Sequence, residues 1–473
     1  MDTSKRSIRV LMFPWLAHGH ISPFLELAKA LAKRNFVTYI CSSSINLNTI
    51  KKTLPPKYSI SVKLVELQIP TTPQLPPHYH TTNGLPPHLM DHLKRALDSA
   101  RPEFSTILKT LQPDLVIYDF LQPWAPEEAA LQNIPAVVFF STGAAASSFI
   151  MYHCFGAARS AAYPFPSIYI REYEYGNFCR LVRPTSCDAN DHVKVSDCIK
   201  RSFNVVLMKT FREMEGKYIE FHSELTQKKV VPVGPLVQVD DDGINNDNTL
   251  IRDEKNDRII EWLDQKDRKS TIFASFGSEY FLSENEIEEI GFGLELSKVN
   301  FIWVLRFPVR EKIITIDEKL PEGFLERVRG RGMVVEDWAP QRRILLHPSV
   351  GGFLSHCGWS SVMEGIFSGV PIVAVPMHLD QPLNARLVEE LGVGEEVVRG
   401  KDGRVERDEV ARVVKRVVLE GEELWRRAAE MSEMMIEKGE EELDEVVEEL
   451  VGLCERDERL IHESQSFMMG LNI

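Results

Sequence analysis

The sequence lacks an excess of positive charge, a cysteine framework and an unbroken apolar run, and each absence removes a class of protein. Lys and Arg number 55 against 69 Asp and Glu, a formal net charge of −14. That balance argues against nucleic acid or an anionic lipid surface as the main partner, and leaves open a local pocket for a small anion. The 7 cysteines, at positions 41, 154, 179, 187, 198, 357 and 454, are scattered, odd in number and form no CxxC. No disulfide framework and no structural zinc are expected, and the compartment reads as reducing. Near the N-terminus Lys5, Arg6 and Arg9 precede an apolar run, Val10 to Phe13, that Pro14 ends before a secretory h-region can form. The best membrane candidate, Leu131 to Tyr152, is interrupted by Gln132, Asn133, Pro135 and Gly143. A buried strand running into a helix explains it better than a span. A soluble, cytoplasmic protein is expected.

What is present is enough apolar material for large cores. Of 473 residues, 44% are hydrophobic and 26% charged, which excludes global disorder and sets a prior of two or three domains. Ile8–Phe13 reads as a strand and Pro14–His20 as a loop; Ser22 then caps a helix with Pro23 in its first turn. Phe24, Leu27, Ala28, Leu31 and Ala32 form one helical face. Thr38–Cys41, Leu115–Tyr118 and Ala136–Phe140 are further strands. After an acidic, aperiodic linker, a second series follows at Ser270–Ser275, Phe301–Arg306, Met333–Glu336, Gly352–Ser355 and Pro371–Val375. Apolar strands separated by helices imply parallel sheets covered on both faces. The expected organisation is residues 1–238, a linker 239–255, residues 256–450, and a terminal segment 451–473 packing back on the first domain. Ligands of such sheets bind beyond the strands' carboxyl ends, so the expected site is a cleft between two facing sheets. The acidic run Glu440–Glu449 is expected to be the solvated side of a helix whose other face carries Val446, Val447, Leu450, Val451 and Cys454.

The most informative stretch is Trp338 to Gln381, WAPQRRILLHPSVGGFLSHCGWSSVMEGIFSGVPIVAVPMHLDQ. It holds two strand–loop–helix units. The first loop puts His356, Gly358, Ser360 and Ser361 ahead of a helix expected from about Val362 to Gly369, where backbone N–H groups and the helix dipole favour an anion. A diphosphate is the guest this suggests.

This stretch resembles, over its full 44 residues, the signature box of plant family 1 UDP-sugar-dependent glycosyltransferases. The similarity runs from PWLAHGHISPFLELAKAL to beyond residue 440. The resemblance implies an α/β fold of the GT-B type: two Rossmann-like domains, an acceptor-binding N-terminal one and a UDP-sugar-binding C-terminal one. It implies that Trp338 stacks on uracil, that the Ala339 backbone bonds its edge, and that Gln341 and Glu364 hold the ribose. His356, Gly358, Ser361 and Ser278 then serve the phosphates, and Trp359, Asp380 and Gln381 the sugar, with Thr142 a further donor contact. The chain departs from the family at Ser360, where Asn is usual, and at Val375, where tryptophan is common. Other readings remain for these residues: Ser361 and Glu364 fit a capping box, Asp380 fits an N-cap, and a lone Trp is usually an amphipathic aromatic.

An acceptor hydroxyl needs a positioned base with a pKa near 7. His18 and His20 both lie where the first strand ends; the resemblance makes His20 the base and Asp119, at the end of Leu115–Tyr118, the carboxylate that orients it. The implied reaction inverts the anomeric centre, with UDP as leaving group. No metal is expected, since the one DxD, Asp240 to Asp242, lies in the acidic linker with no strand before it. No cofactor is expected beyond the UDP-sugar co-substrate. Gln381 with Trp359 resembles glucose-using members. The segments PWLAHGHISPFLELA, PPHYHTTNGLPPHL (76–89), YDFLQPWAPE (118–127) and FGSEYF (276–281) resemble the subgroup that adds a sugar to a flavonoid or triterpenoid glycoside. His18, His80, Asn83 and Trp124 are candidate acceptor contacts, and a monomer is expected. Rival readings are a glucosyltransferase acting on free aglycones, a non-catalytic UDP-sugar-binding protein, and a Rossmann oxidoreductase, which the absent GxGxxG disfavours.

Overall fold

A computed structural model of the chain describes residues 6–155, 162–182, 191–237, 254–307 and 316–470. Two parallel sheets organise it. The first holds β1 (Ile8–Phe13), β2 (Phe36–Ser42), β3 (Val62–Glu66), β4 (Leu115–Asp119), β5 (Ala136–Phe140), β6 (Val205–Met208) and β7 (Lys229–Pro232), in the order β3-β2-β1-β4-β5-β6-β7. The second holds β8 (Thr271–Ser275), β9 (Asn300–Leu305), β10 (Gly332–Glu336), β11 (Val350–Ser355), β12 (Ile372–Ala374) and β13 (Gly394–Glu396), in the order β10-β9-β8-β11-β12-β13. Both therefore have the doubly wound Rossmann order, reversing between β1 and β4 and between β8 and β11.

The strands read as continuous apolar runs because both their faces are covered. Val10, Leu11, Met12 and Phe13 of β1 are all fully buried, as is every residue of β4. On the helix after β1, Phe24, Leu27, Ala28 and Leu31 are fully buried, and Phe24 packs against Phe139 of β5 at 4.8 Å between ring centroids. Burying each such large side chain contributes about 1.5–3 kcal/mol. β13 has no apolar pattern to find. Its glutamates are held by arginines instead: Glu395 by Arg412 and Arg416, Glu396 by Arg171 and Arg386.

The helix after β1 begins earlier than expected. It spans His18–Ala32 with Ala17 as N-cap and Pro23 inside it. The Ala17 carbonyl accepts from both His20 and Ile21 N–H groups, which starts the helix before Ser22. The helix after β11 likewise spans Trp359–Phe367 rather than starting near Val362, and Gly369 follows it at φ +67°.

The described residues divide into two compact units that are not consecutive in the chain. One comprises those within Met1–Ala144, Pro184–Leu236 and Lys438–Ile473; the other those within Ala145–Arg183 and Val237–Glu437. The expected boundaries at 238 and 450 thus follow the sheets but not the elements that pack with them. In the second unit a buried ion network fixes 162–182: Arg386 Nη2 donates to both carboxylate oxygens of Glu174 at 2.7 Å and its Nη1 to Glu396 at 2.5 Å, while Arg171 reaches Glu396 at 3.0 Å. In the first unit Val446, Leu450 and Leu453 of the helix Glu422–Gly470 are buried against the sheet's core. The acidic side of that helix is more than solvated, since Glu440 and Asp444 both bond Arg34, and Glu445 bonds Arg212. The expected linker, with Asp240 to Asp242, lies outside the described residues save 254–255. Among the described residues no helix is long and apolar enough to cross a membrane.

Candidate active site

In the first unit the strand order reverses between β1 and β4, and the crevice beyond such a reversal is where these sheets bind ligands. His20 stands in the first turn of the helix after β1, and Asp119 is the last residue of β4. His20 Nδ1 lies 2.7 Å from Asp119 Oδ2, with the carboxylate fully buried and the imidazole 19% exposed. The other oxygen, Oδ1, accepts from the Leu121 N–H at 3.3 Å. An ionised carboxylate only accepts, so Nδ1 carries the proton and Nε2 is left as the basic atom. Phe120 flanks the imidazole at 5.2 Å and itself stacks on Phe140 at 4.8 Å. The pair has the parts of an oriented general base.

His18 is exposed at the head of the same helix. The Leu16 carbonyl accepts from Thr82 N–H at 3.0 Å and Thr81 Oγ1 at 3.3 Å, which fastens the Pro-rich segment beside the loop leading to His18. Within that segment His80 is buried, which lowers its imidazole pKa, and Asn83 is exposed. Thr142 is half-buried beyond the end of β5, the neighbour of β4. Trp124 sits in the core: it packs on Phe13 and Phe104 and donates from Nε1 to Asp98 at 2.9 Å.

In the second unit the reversal lies between β8 and β11, and the predicted donor residues gather at that carboxyl edge. Gly277 and Ser278 follow β8, Trp338 and Ala339 follow β10, His356 and Gly358 follow β11, and Asp380 and Gln381 follow β12. The His356 ring is lodged between two glycines. A Cβ on either Gly277 or Gly358 would lie 2.5 Å from its Nε2, and Gly277 also holds φ +75°. Burial, with His378 nearby, lowers the His356 imidazole to about 4, so at neutral pH it offers a neutral N–H rather than a cation. Gly358 is the N-cap of the helix Trp359–Phe367, whose first N–H groups and dipole favour an anion there.

Trp338 is 64% exposed, a flat ring standing in solvent, while Ala339 beside it in the chain is buried. Gln341 Nε2 donates to Glu364 Oε2 at 2.6 Å, which brings together the two residues expected to hold a ribose. The capping box does not form, because Gly358 is the cap and Ser361 already lies inside the helix. Ser360 and Ser361 are half-buried on its first turn. Trp359, the first residue of that helix, is 4% exposed, and Val375, just past β12, is fully buried. Asp380 precedes its helix without capping it by side chain; instead its Oδ2 accepts from Asn384 Nδ2 at 2.9 Å. Gln381 Oε1 accepts from the Met377 and His378 N–H groups at 3.0 and 3.1 Å, closing the loop and turning the amide nitrogen to other partners.

Sequence reasoning missed two charged or titratable groups here. Arg306, just past β9, donates to the Gly277 carbonyl at 3.3 Å, and burial lowers its guanidinium pKa against the pull of Asp337 and Glu279. A charge ending an apolar strand was the available signal. His378 packs its ring 5.2 Å from that of Tyr280, whose hydroxyl donates to Glu286; nothing in its short loop distinguished it.

Known proteins resemble the chain along nearly its whole length. The family model "Glycosyltransferase, N-terminal domain" matches residues 6–238, and the model "UDP-glucoronosyl and UDP-glucosyl transferase" matches residues 235–447. The chain is 51% identical over 462 residues to UDP-glucosyltransferase 29 of Panax ginseng, covering 96% of this chain and 99% of that one. It is 50% identical over 448 residues to the beta-D-glucosyl crocetin beta-1,6-glucosyltransferase of Gardenia jasminoides, covering 93% and 98%. Among solved structures, a UDP-glucosyltransferase from Polygonum tinctorium capable of glucosylating indoxyl superposes with a TM-score of 0.76 at 25% identity, covering 96% and 100%. Sheets of Rossmann order, a histidine–aspartate pair at one switch point, a glycine-cradled histidine at the other and these relatives place the chain in the UDP-glycosyltransferase family.

Proposed function

We propose that this enzyme transfers glucose from UDP-glucose to a hydroxyl of a sugar already attached to a triterpenoid or flavonoid. The 2.7 Å contact between His20 and the buried Asp119 carries the reading. His20 Nε2 removes the acceptor proton as the hydroxyl oxygen attacks the anomeric carbon, the bond to the UDP oxygen breaks on the opposite face, and the configuration inverts. Asp119 holds the tautomer and stabilises the imidazolium that forms. Trp338 takes the uracil, Gln341 and Glu364 the ribose, and Asp380 and Gln381 the glucose hydroxyls. His356 with Ser278, Gly358, Ser360 and Ser361 meets the leaving diphosphate, with no metal. The sugar-on-sugar choice is supported by the Gardenia relative, named a beta-1,6-glucosyltransferase of beta-D-glucosyl crocetin. Free cysteines at 41, 154, 179, 198, 357 and 454 support a cytoplasmic location. The single chain carries both the base and the donor residues, which supports a monomer, checked by light scattering.

The test measures UDP release with several UDP-sugars against paired acceptors, an aglycone and its monoglucoside, with mass detection of product. Higher kcat/KM for the monoglucoside with UDP-glucose is expected. A preference for the aglycone refutes the sugar-on-sugar reading, and UDP-sugar binding without turnover on any acceptor refutes catalysis.

A further inference from the structure

We infer that Asn384 is a positioning residue that holds the diphosphate loop and the sugar-facing carboxylate in one geometry. It is 1% exposed on the helix Gln381–Glu390. Its single amide nitrogen spends both hydrogens on the site: Nδ2 donates to the Cys357 carbonyl at 3.0 Å and to Asp380 Oδ2 at 2.9 Å. Both partners are pure acceptors, so the orientation of the amide is fixed and its Oδ1 is turned inward, where it finds no partner. A buried unsatisfied oxygen is costly, and it persists here because the nitrogen's two bonds require it.

Each bond restrains something the donor needs. Cys357 lies between His356 and Gly358 with φ +62°, a left-handed conformation that side-chain-bearing residues rarely adopt. Its own N–H is held by Ser355 Oγ at 3.1 Å and its carbonyl by Asn384, so the turn that aims His356 between the two glycines is pinned at both ends. Asp380 does not cap its helix by side chain, and the bond from Asn384 holds its Oδ2. Behind Asn384, two residues along the same helix, Arg386 is locked by Glu174 and Glu396. The amide is therefore presented from a fixed support.

This inference rests on the reading that the His356 loop and Asp380 bind the UDP-sugar, and the test separates the two. Affinities for UDP and for UDP-glucose are measured by calorimetry between pH 5 and 8 for wild type, N384D, N384A and D380A. N384D has nearly the same volume but, ionised, faces two acceptors with a third. It should weaken UDP-glucose by about 10- to 100-fold and UDP less, recovering in part at pH 5, where a protonated carboxyl again donates to Asp380. A residue that only fills space would show no such pH recovery. N384A, which removes both donors without adding charge, should lose the same discrimination at every pH. Wild-type affinities in N384A, or a pH-independent loss in N384D, overturn the proposal. If D380A binds UDP-glucose like wild type, the donor-site reading itself fails.

Discussion

Replacing Asp119 with asparagine tests the reaction at its centre. The new side chain keeps an oxygen to accept the Leu121 N–H that Oδ1 now takes at 3.3 Å, which turns its NH₂ toward His20 Nδ1. A donor facing Nδ1 forces that nitrogen to accept, so the ring proton moves to Nε2 and the basic atom is lost while shape and volume are retained. A positioned general base is worth about 10²- to 10⁴-fold, or about 3–5 kcal/mol of barrier, and D119N should forfeit most of it in kcat. Apart from Thr142, the expected donor residues belong to the other unit, so the KM for UDP-glucose should hold. The assay is initial-rate UDP release with a glycoside acceptor, beside H20A and H18A. H20A should match or exceed the D119N loss. H18A should keep most activity, because it is His20, not the exposed His18, that meets the carboxylate. A D119N kcat within about threefold of wild type, or equal losses in H18A and H20A, would refute the assignment.

Other perturbations reach the donor residues, the closing helix and the leaving group. W338A should weaken UDP-sugar binding by about 1–3 kcal/mol, the worth of one base stacked on an aromatic, while the melting temperature stays put because the ring is 64% exposed. G358A drives a Cβ to 2.5 Å from His356 Nε2, so calorimetry should find UDP affinity reduced about tenfold or more with the fold intact by circular dichroism. Burial raises the Glu442 carboxyl from 4.5 to about 7, so the stability it contributes is full below pH 4.5 and lost as pH rises through about 7, a total of about 3 kcal/mol. E442Q keeps an oxygen for the Arg212 N–H and should melt above wild type at pH 8 and level with it at pH 4; the reverse order would contradict the sign. Chelation with EDTA should leave turnover unchanged, and activity restored only by Mg²⁺ would overturn the metal-free reading.

Much of the fold was legible because parallel strands buried on both faces leave unbroken apolar runs; Ile8–Phe13 and Ala136–Phe140 were located to the residue. Four strands escaped, and two of them, Val205–Met208 and Lys229–Pro232, are only four residues long. Val62–Glu66 is an edge strand with its lysine exposed, and Gly394–Glu396 trades apolar side chains for ion pairs with distant arginines. His20 and Asp119 were readable as strand-end residues, but their 2.7 Å contact is made by pairing β1 with β4 across 99 residues, which periodicity does not report. The helix start at His18 was hidden because Ser22 and Pro23 imitate a cap and first turn. Asn384 was invisible for a different reason. Its bonds go to a backbone carbonyl and to a neighbour one turn away, and an asparagine inside a helix announces neither.

The discontinuous assembly of the two units sets terms for anyone building hybrids with related enzymes. A single crossover near residue 237 would look natural from the sheets alone. It would pair 162–182 of one parent with Arg386 and Glu396 of the other, staking Glu174 on whether the foreign helix keeps its arginine. It would likewise ask Val446, Leu450 and Leu453 of one parent to fit a core evolved in the other. Recombinants that exchange donor preference without unfolding should therefore be cut in four places, near 144, 183, 237 and 437, so that each graft carries its own buried counter-charges and its own closing helix.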